Sequence, residues 1–142
     1  MEKRYYTRLE VEIQSFVSKY GVDALIAWLS EYSKIVSTSD FNTFNRIQKY
    51  TCEEYGIPIA DINGRGSTNP DYADAKKTIT LLTYKHTKLQ LKHITMVQGC
   101  TTRTVYNHVK EVEFRIENSS AFRDFVAKYN KILNKLNSYV KP

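Results

Sequence analysis

The stretch that decides the fold runs from Gly99 to Lys110 and reads GCTTRTVYNHVK. It has the pattern of a helix-turn-helix, in which Gly99 supplies the tight turn and Thr101 caps the second helix by accepting a backbone N–H bond. Four aliphatic residues follow at helical spacing and mark the side expected to face the core: Val105, Val109, Val112 and Ile116.

The other side of this helix is polar and basic. Its hydroxyl, amide and cationic groups are suited to phosphates and to base edges. The candidate DNA contacts, with the capping positions included, are Thr101, Thr102, Arg103, Thr104, Tyr106, Asn107 and Lys110. Arg103 can make a bidentate contact with guanine, the commonest specific contact in the major groove. The alternative for Arg103 is a surface ion pair with an acid such as Glu111.

The positive charge of the chain is concentrated around this stretch. The 142 residues carry a net charge of +6, and residues 70–110 hold seven Lys or Arg against two Asp or Glu. Patterned basicity of this kind favours a nucleic-acid partner, while a solvated basic surface is the alternative. The further candidate phosphate contacts are Lys76, Lys77, Lys88 and Lys92.

The periodicity along the chain predicts an all-α fold. Residues 1–37 predict a helical hairpin with Gly21 at its turn, and residues 38–142 predict a multi-helix domain that contains the helix-turn-helix. A hairpin of this size is too small to hold a core alone. It must therefore dock on the rest of the chain or pair with a second copy in a homodimer.

Several polar signals predict where the helices of the second part begin. Asn69 and Pro70 predict the N-cap and first turn of one helix, after a loop at residues 63–68. Residues 118–120 predict the start of the last helix, and residues 89–97 predict the first helix of the helix-turn-helix.

The sequence gives no sign of catalysis, cofactor or metal binding, or a small-molecule substrate. None of the five glycines opens a phosphate-binding loop, and the histidines have no ligand spacing with cysteine or acidic residues. Cys52 and Cys100 are far apart, no apolar run is long enough to span a membrane, and the start of the chain lacks the apolar core of a secretion signal. We therefore expect a cytoplasmic protein that is not an enzyme.

Cys100 lies at the predicted start of a helix, where the pKa of a thiol can be lowered and its reactivity raised. The alternative is a small, buried or half-buried turn residue.

From about Phe44 to about Leu136 the chain resembles the C-terminal, origin-binding domain of the bacterial replication initiator DnaA. The resemblance rests on residues 47–49, on residues 53–62 with their sequence EEYGIPIADI, and on the pair Thr104 and Val105. It implies a helical fold that binds duplex DNA through a helix-turn-helix. It also implies a basic contact from the loop before the long helix, where Arg65 and Ser67 lie nearest to the family's arginine.

The chain departs from the family at the start of the recognition helix. Thr101, Thr102 and Arg103 stand where the family has an aspartate, a histidine and a hydroxyl residue. Two classes of function follow. The first is a duplex-DNA-binding protein, such as a small regulator or an accessory replication factor. The second is a diverged helix-turn-helix that serves as a protein–protein interaction module.

Overall fold

A computed structural model describes residues 8–62, 69–98 and 100–139 of the chain. The described residues contain no strand, so the all-α prediction is confirmed. Within the ranges given above, the structure has one short 3-10 turn at Ile59–Asp61 and seven α-helices: α1 (Arg8–Tyr20), α2 (Val22–Ile35), α3 (Thr38–Tyr55), α4 (Pro70–His86), α5 (Leu91–Gln98), α6 (Thr102–Glu117) and α7 (Arg123–Asn137). None of these helices is both long and apolar enough to span a membrane.

The chain divides into two compact units between Val36 and Ser37. The first unit contains α1 and α2, which contact each other and are joined by Gly21. Gly21 has a φ of 89°, a conformation that residues with a side chain rarely adopt, so the chain can turn sharply there. Within α2 no side chain is buried.

The second unit encloses a continuous hydrophobic core. Helices α3, α4, α6 and α7 contribute to it, and α4 packs against both α3 and α6. The fully buried aliphatic side chains of these helices and of α5 include Ile47, Ile79, Leu81, Leu82, Ile94, Val105, Val112 and Ile132. Close packing of this kind positions α6 relative to the other helices.

The predicted helix start at Asn69 is confirmed by its hydrogen bond, and Ser37 caps α3 in the same way. The side chain of Ser37 accepts the backbone N–H of Asp40 at 3.0 Å, and that of Asn69 accepts the N–H of Asp71 at 2.9 Å. Each bond satisfies a backbone donor that the first turn of a helix leaves without a partner. Pro70 occupies the first turn of α4, as predicted.

The predicted start of the last helix at residues 118–120 is wrong, because α7 begins at Arg123. Asn118 ends α6 instead. Its backbone N–H donates to the carbonyl of Phe114 at 3.0 Å, and its side-chain amide donates to the same carbonyl at 2.8 Å. The Asn side chain therefore satisfies the C-terminal end of one helix, where the sequence pattern had indicated the N-terminal end of the next.

Candidate nucleic-acid interface

Helix α6 has one buried side and one exposed side. Val105, Val109 and Val112 are buried, as predicted, and Ile116 is half-buried. The exposed side carries most of the candidate DNA contacts: Thr102, Arg103, Tyr106, Asn107 and Lys110. An α-helix turns 100° per residue, so Arg103, Lys110 and Phe114 follow one another along this exposed side.

The start of α6 is capped by Thr101. Its hydroxyl oxygen accepts the backbone N–H of Thr104 at 3.1 Å and shares a hydrogen bond with the Thr104 hydroxyl at 2.9 Å. These two hydroxyl groups hold the first turn in place. Thr102 and Arg103, between them in sequence, project from the same turn and are exposed.

Glu111, an acidic residue on the α4 side of α6, is neutralised by two cations. Glu111 accepts from Lys77 at 2.8 Å and from Arg115 at 2.9 Å, and Arg115 also donates to Asp74 at 2.9 Å. The hydrogen bond from Lys77 lowers the pKa of the Glu111 carboxyl. Glu111 therefore remains ionised, and Lys77 and Arg115 offset its negative charge on the α4 side of α6.

Arg103 makes no ion pair within the part of the chain that the structure describes. The surface pair between Arg103 and Glu111, which the sequence left open, is absent, and the Glu111 carboxylate pairs with Lys77 and Arg115 instead. The guanidinium of Arg103 thus keeps its five N–H donors for a partner outside the chain.

A buried polar cluster joins α4, α5 and α6. Thr80 Oγ1 donates to Gln98 Oε1 at 2.6 Å and lies 3.2 Å from His108 Nδ1, while Gln98 Nε2 donates to the carbonyl of Lys76 at 3.0 Å. Thr80 Oγ1 also lies 2.9 Å from the carbonyl oxygen of Lys76, so three hydrogen-bonding groups surround this one hydroxyl. This cluster fixes the end of α5 against the helix that follows it.

The surroundings of His108 favour its neutral form. Burial lowers the pKa of His108 from its ordinary value of 6.5, and the ammonium of Lys77 lowers it further. Glu111 opposes this shift and Lys76 adds to it. His108 is therefore neutral at pH 7 and stabilises the joint between the helices without adding charge to the exposed side of α6.

The four predicted lysine contacts lie at different places. Lys76 is close enough to Cys100 and His108 to affect the pKa of both, which places its charge near the start of α6. Lys77 is paired with Glu111. Lys88 and Lys92 are exposed in the α4–α5 connection and in the first turn of α5, and no described hydrogen bond or ion pair joins them to α6.

Tyr106 and Lys110 form a pair on the exposed side. The ammonium of Lys110 lies 5.5 Å from the centre of the Tyr106 ring, within the range of a cation–π interaction. Tyr106 is 50% exposed and Phe114, two turns further on, is 56% exposed. The surface therefore combines cations with accessible aromatic rings.

The predicted loop contacts Arg65 and Ser67, and the turn residue Gly99, lie outside the described residues. Cys100 is half-buried, and burial raises the pKa of its thiol although Lys76 acts in the opposite direction. This finding contradicts the reactive alternative for Cys100 and favours a turn residue. In the described ranges, no group of three His, Cys, Asp or Glu side chains is arranged to hold a metal ion.

The residues that position α6 could not be predicted from the sequence. Thr80, Gln98 and His108 lie far apart in sequence and meet only through the packing of three helices. The sequence did contain a signal for a different contact of α6, the Glu111–Arg115 ion pair. Glu111 and Arg115 are four residues apart, a spacing at which oppositely charged side chains pair on a helix.

Comparison with protein-family models finds no match, and neither do the comparisons with curated proteins and with solved structures. The fold and the geometry of the α6 surface therefore carry the functional argument.

Proposed function

We propose that the chain binds duplex DNA, with α5 and α6 as a helix-turn-helix and α6 in the major groove. The observation that carries this proposal is the exposed side of α6, where Arg103 and Lys110 make no ion pair with any described acidic residue while Glu111 is paired with Lys77 and Arg115. The resemblance to the C-terminal domain of DnaA supports the same function. A role as a small regulator or an accessory replication factor follows from it.

The dimensions of α6 support insertion into DNA. The helix has 16 residues and begins with the N-cap Thr101, so its first turns are ordered and accessible. Recognition helices contact base edges with the residues of their N-terminal turns. Thr102 and Arg103 occupy this position, and Asn107 and Lys110 follow on the same side.

The charge distribution supports an anionic partner for this unit in particular. Residues 37–142 carry 16 Lys or Arg against 10 Asp or Glu, whereas residues 1–36 carry five of each. The whole net charge of +6 therefore belongs to the unit that contains α6. If about five phosphates are contacted, the logarithm of the affinity falls with the logarithm of salt concentration at a slope of about −4 to −5.

Selection from a library of random duplexes tests the proposal most directly. We expect one motif to be enriched, and the selected duplex to bind more tightly than a scrambled duplex of equal length at the same salt concentration. Absence of binding at low salt, or affinity that does not change with salt, would refute DNA binding. Binding without any enriched motif would refute base recognition.

A second candidate function is a protein–protein interaction module. The exposed rings of Tyr106 and Phe114 favour it, because aromatic residues are enriched at protein interfaces. The two functions predict different effects of replacing Phe114. Phe114→Ser leaves the affinity for selected DNA unchanged if the first turns of α6 bind DNA, and it abolishes binding of a protein partner that covers the whole exposed side.

A further inference from the structure

The N-terminal hairpin, α1 and α2 at residues 8–36, exposes most of its apolar side chains. Trp28 is 43% exposed and Leu29 is 49% exposed, and α2 has no buried side chain. Both helices repeat apolar residues at alternating spacings of three and four, the pattern of helices that pack in bundles. In α1 these are Ile13, Phe16 and Tyr20, and in α2 they are Val22, Leu25, Leu29 and Tyr32.

The packing of α1 on α2 covers only part of these two stripes. Phe16, Leu25 and Tyr32 are half-buried, whereas Ile13 and Tyr20 in α1 remain exposed. An open groove of about 500 Å³ runs along the hairpin, lined by apolar side chains from both helices. Two helices of this length cannot complete a core, and units below about 40 residues need oligomerisation or a covalent or metal cross-link.

The two charged residues that line the groove lie on α1 and have opposite signs. Glu12 and Lys19 are seven residues apart, which corresponds to about 10 Å along a helix. Neither makes an ion pair within the described residues. In an antiparallel pairing of two α1 helices about a two-fold axis near Phe16, each Glu12 meets the Lys19 of the other copy.

We infer that the hairpin pairs with a second copy of itself, groove against groove, to form a four-helix bundle with two Glu12–Lys19 contacts between the chains. Two-fold symmetry requires such a self-complementary surface, in which each residue contacts its counterpart reciprocally. The charge of the hairpin favours this occupant, since residues 1–36 carry no net charge and so neither repel a second copy nor attract an anionic surface. The inference stands independently of DNA binding.

Sedimentation equilibrium of the full chain at low salt tests the pairing. We expect the full chain to be a dimer. Glu12→Lys and Lys19→Glu each place like charges opposite each other at two positions and should raise the dimer dissociation constant about fivefold or more. An equimolar mixture of the two variants should associate as tightly as the original chain, because the variants then present opposite charges to each other.

A second pair of variants tests the apolar part of the groove. Leu29→Asp places a charge in the groove and should raise the dissociation constant at least about tenfold, whereas Ser30→Asp adds the same charge at the next exposed position and should change it little. A full chain that is monomeric at every concentration up to its solubility limit would overturn the inference. So would a dimer that tolerates Leu29→Asp, or a charge-variant mixture that associates no better than either variant alone.

Discussion

The two units of the chain are built from the same kind of amphipathic helix, yet among the residues that the structure describes only the C-terminal unit encloses a core. Leu82 in α4 is 0% exposed, while Leu29 in α2 is 49% exposed. The difference lies in the number of neighbours, since α4 packs against α3, α5, α6 and α7, and α2 packs against α1. The spacing of apolar residues in the sequence indicates which side of a helix is apolar, but that side is buried only where enough other helices cover it.

The largest expected effect contrasts two leucines. Leu82→Ala removes side-chain atoms from a filled core and should lower the free energy of unfolding of the C-terminal unit by about 2–5 kcal/mol. Leu29→Ala should lower the same free energy of unfolding by less than about 0.5 kcal/mol, because Leu29 belongs to the other unit and its side chain is already half exposed to solvent. Urea unfolding, followed by far-ultraviolet circular dichroism at low protein concentration, measures both. Equal losses would show that the two units share one core.

The second prediction contrasts cations of the two units. Arg103→Ala should weaken binding to a selected duplex by about 1–3 kcal/mol and relax the preference at one base pair. Lys110→Ala should weaken binding to all duplexes alike and make the salt slope shallower by about one unit. The control is Lys34→Ala in α2, which removes an exposed cation from the neutral unit and should leave binding unchanged.

Fluorescence anisotropy on the selected and a scrambled duplex separates these effects. If Arg103→Ala lowers affinity equally on both duplexes, Arg103 contacts phosphate alone. If Lys34→Ala has the same effect as Lys110→Ala, the binding surface is not restricted to the C-terminal unit.

The third prediction concerns helix caps, which also differ between the units. The Thr101 side chain caps α6, whereas α2 begins after Gly21 without a side-chain cap. Thr101→Ala should lower the free energy of unfolding of the C-terminal unit by about 0.5–2 kcal/mol, since the N–H of Thr104 then loses its partner. Thr102→Ala, at the next and exposed position, is the matched control and should change it by no more than about 0.5 kcal/mol. Thermal unfolding of the two variants checks this prediction, because Thr101→Ala should unfold at a lower temperature than Thr102→Ala.

The smallest expected effect is a pH dependence of the free energy of unfolding of the C-terminal unit. All three histidines lie in the C-terminal unit, and burial lowers the pKa of His108 from its ordinary value of 6.5. Below pH 6.5 the unfolded chain binds a proton that the folded chain does not, so the stability due to neutral His108 is present above pH 6.5 and decreases as the pH falls below it.

His108→Gln removes this titration. The difference in unfolding free energy between the original chain and the variant should therefore shrink from pH 7.5 to pH 5.5, in contrast to a constant difference if His108 does not titrate. The pKa of His86 is also lowered by burial, but His86 is present in both proteins, so its contribution cancels in the comparison.

The sequence predicted the all-α fold, the start of α4 at Asn69 and Pro70, and the buried side of α6. These features depend on helical periodicity, on backbone donors at helix ends and on the rigid φ of proline, all of which are local. The start of α7 was mispredicted because Asn118 can satisfy either end of a helix, and only its bond to Phe114 shows which.

The tertiary structure alone decided which charges of the candidate interface are accessible. The sequence placed Arg103 and Lys77 in one basic region, with Glu111 directly after it, and did not show how these charges pair. Packing of α4 on α6 brings Lys77 to within 2.8 Å of Glu111 and leaves Arg103 exposed. The physical reason is that helical periodicity can be recognised within each helix, whereas the Lys77–Glu111 ion pair and the Thr80–Gln98–His108 cluster depend on contacts between residues that are distant in sequence.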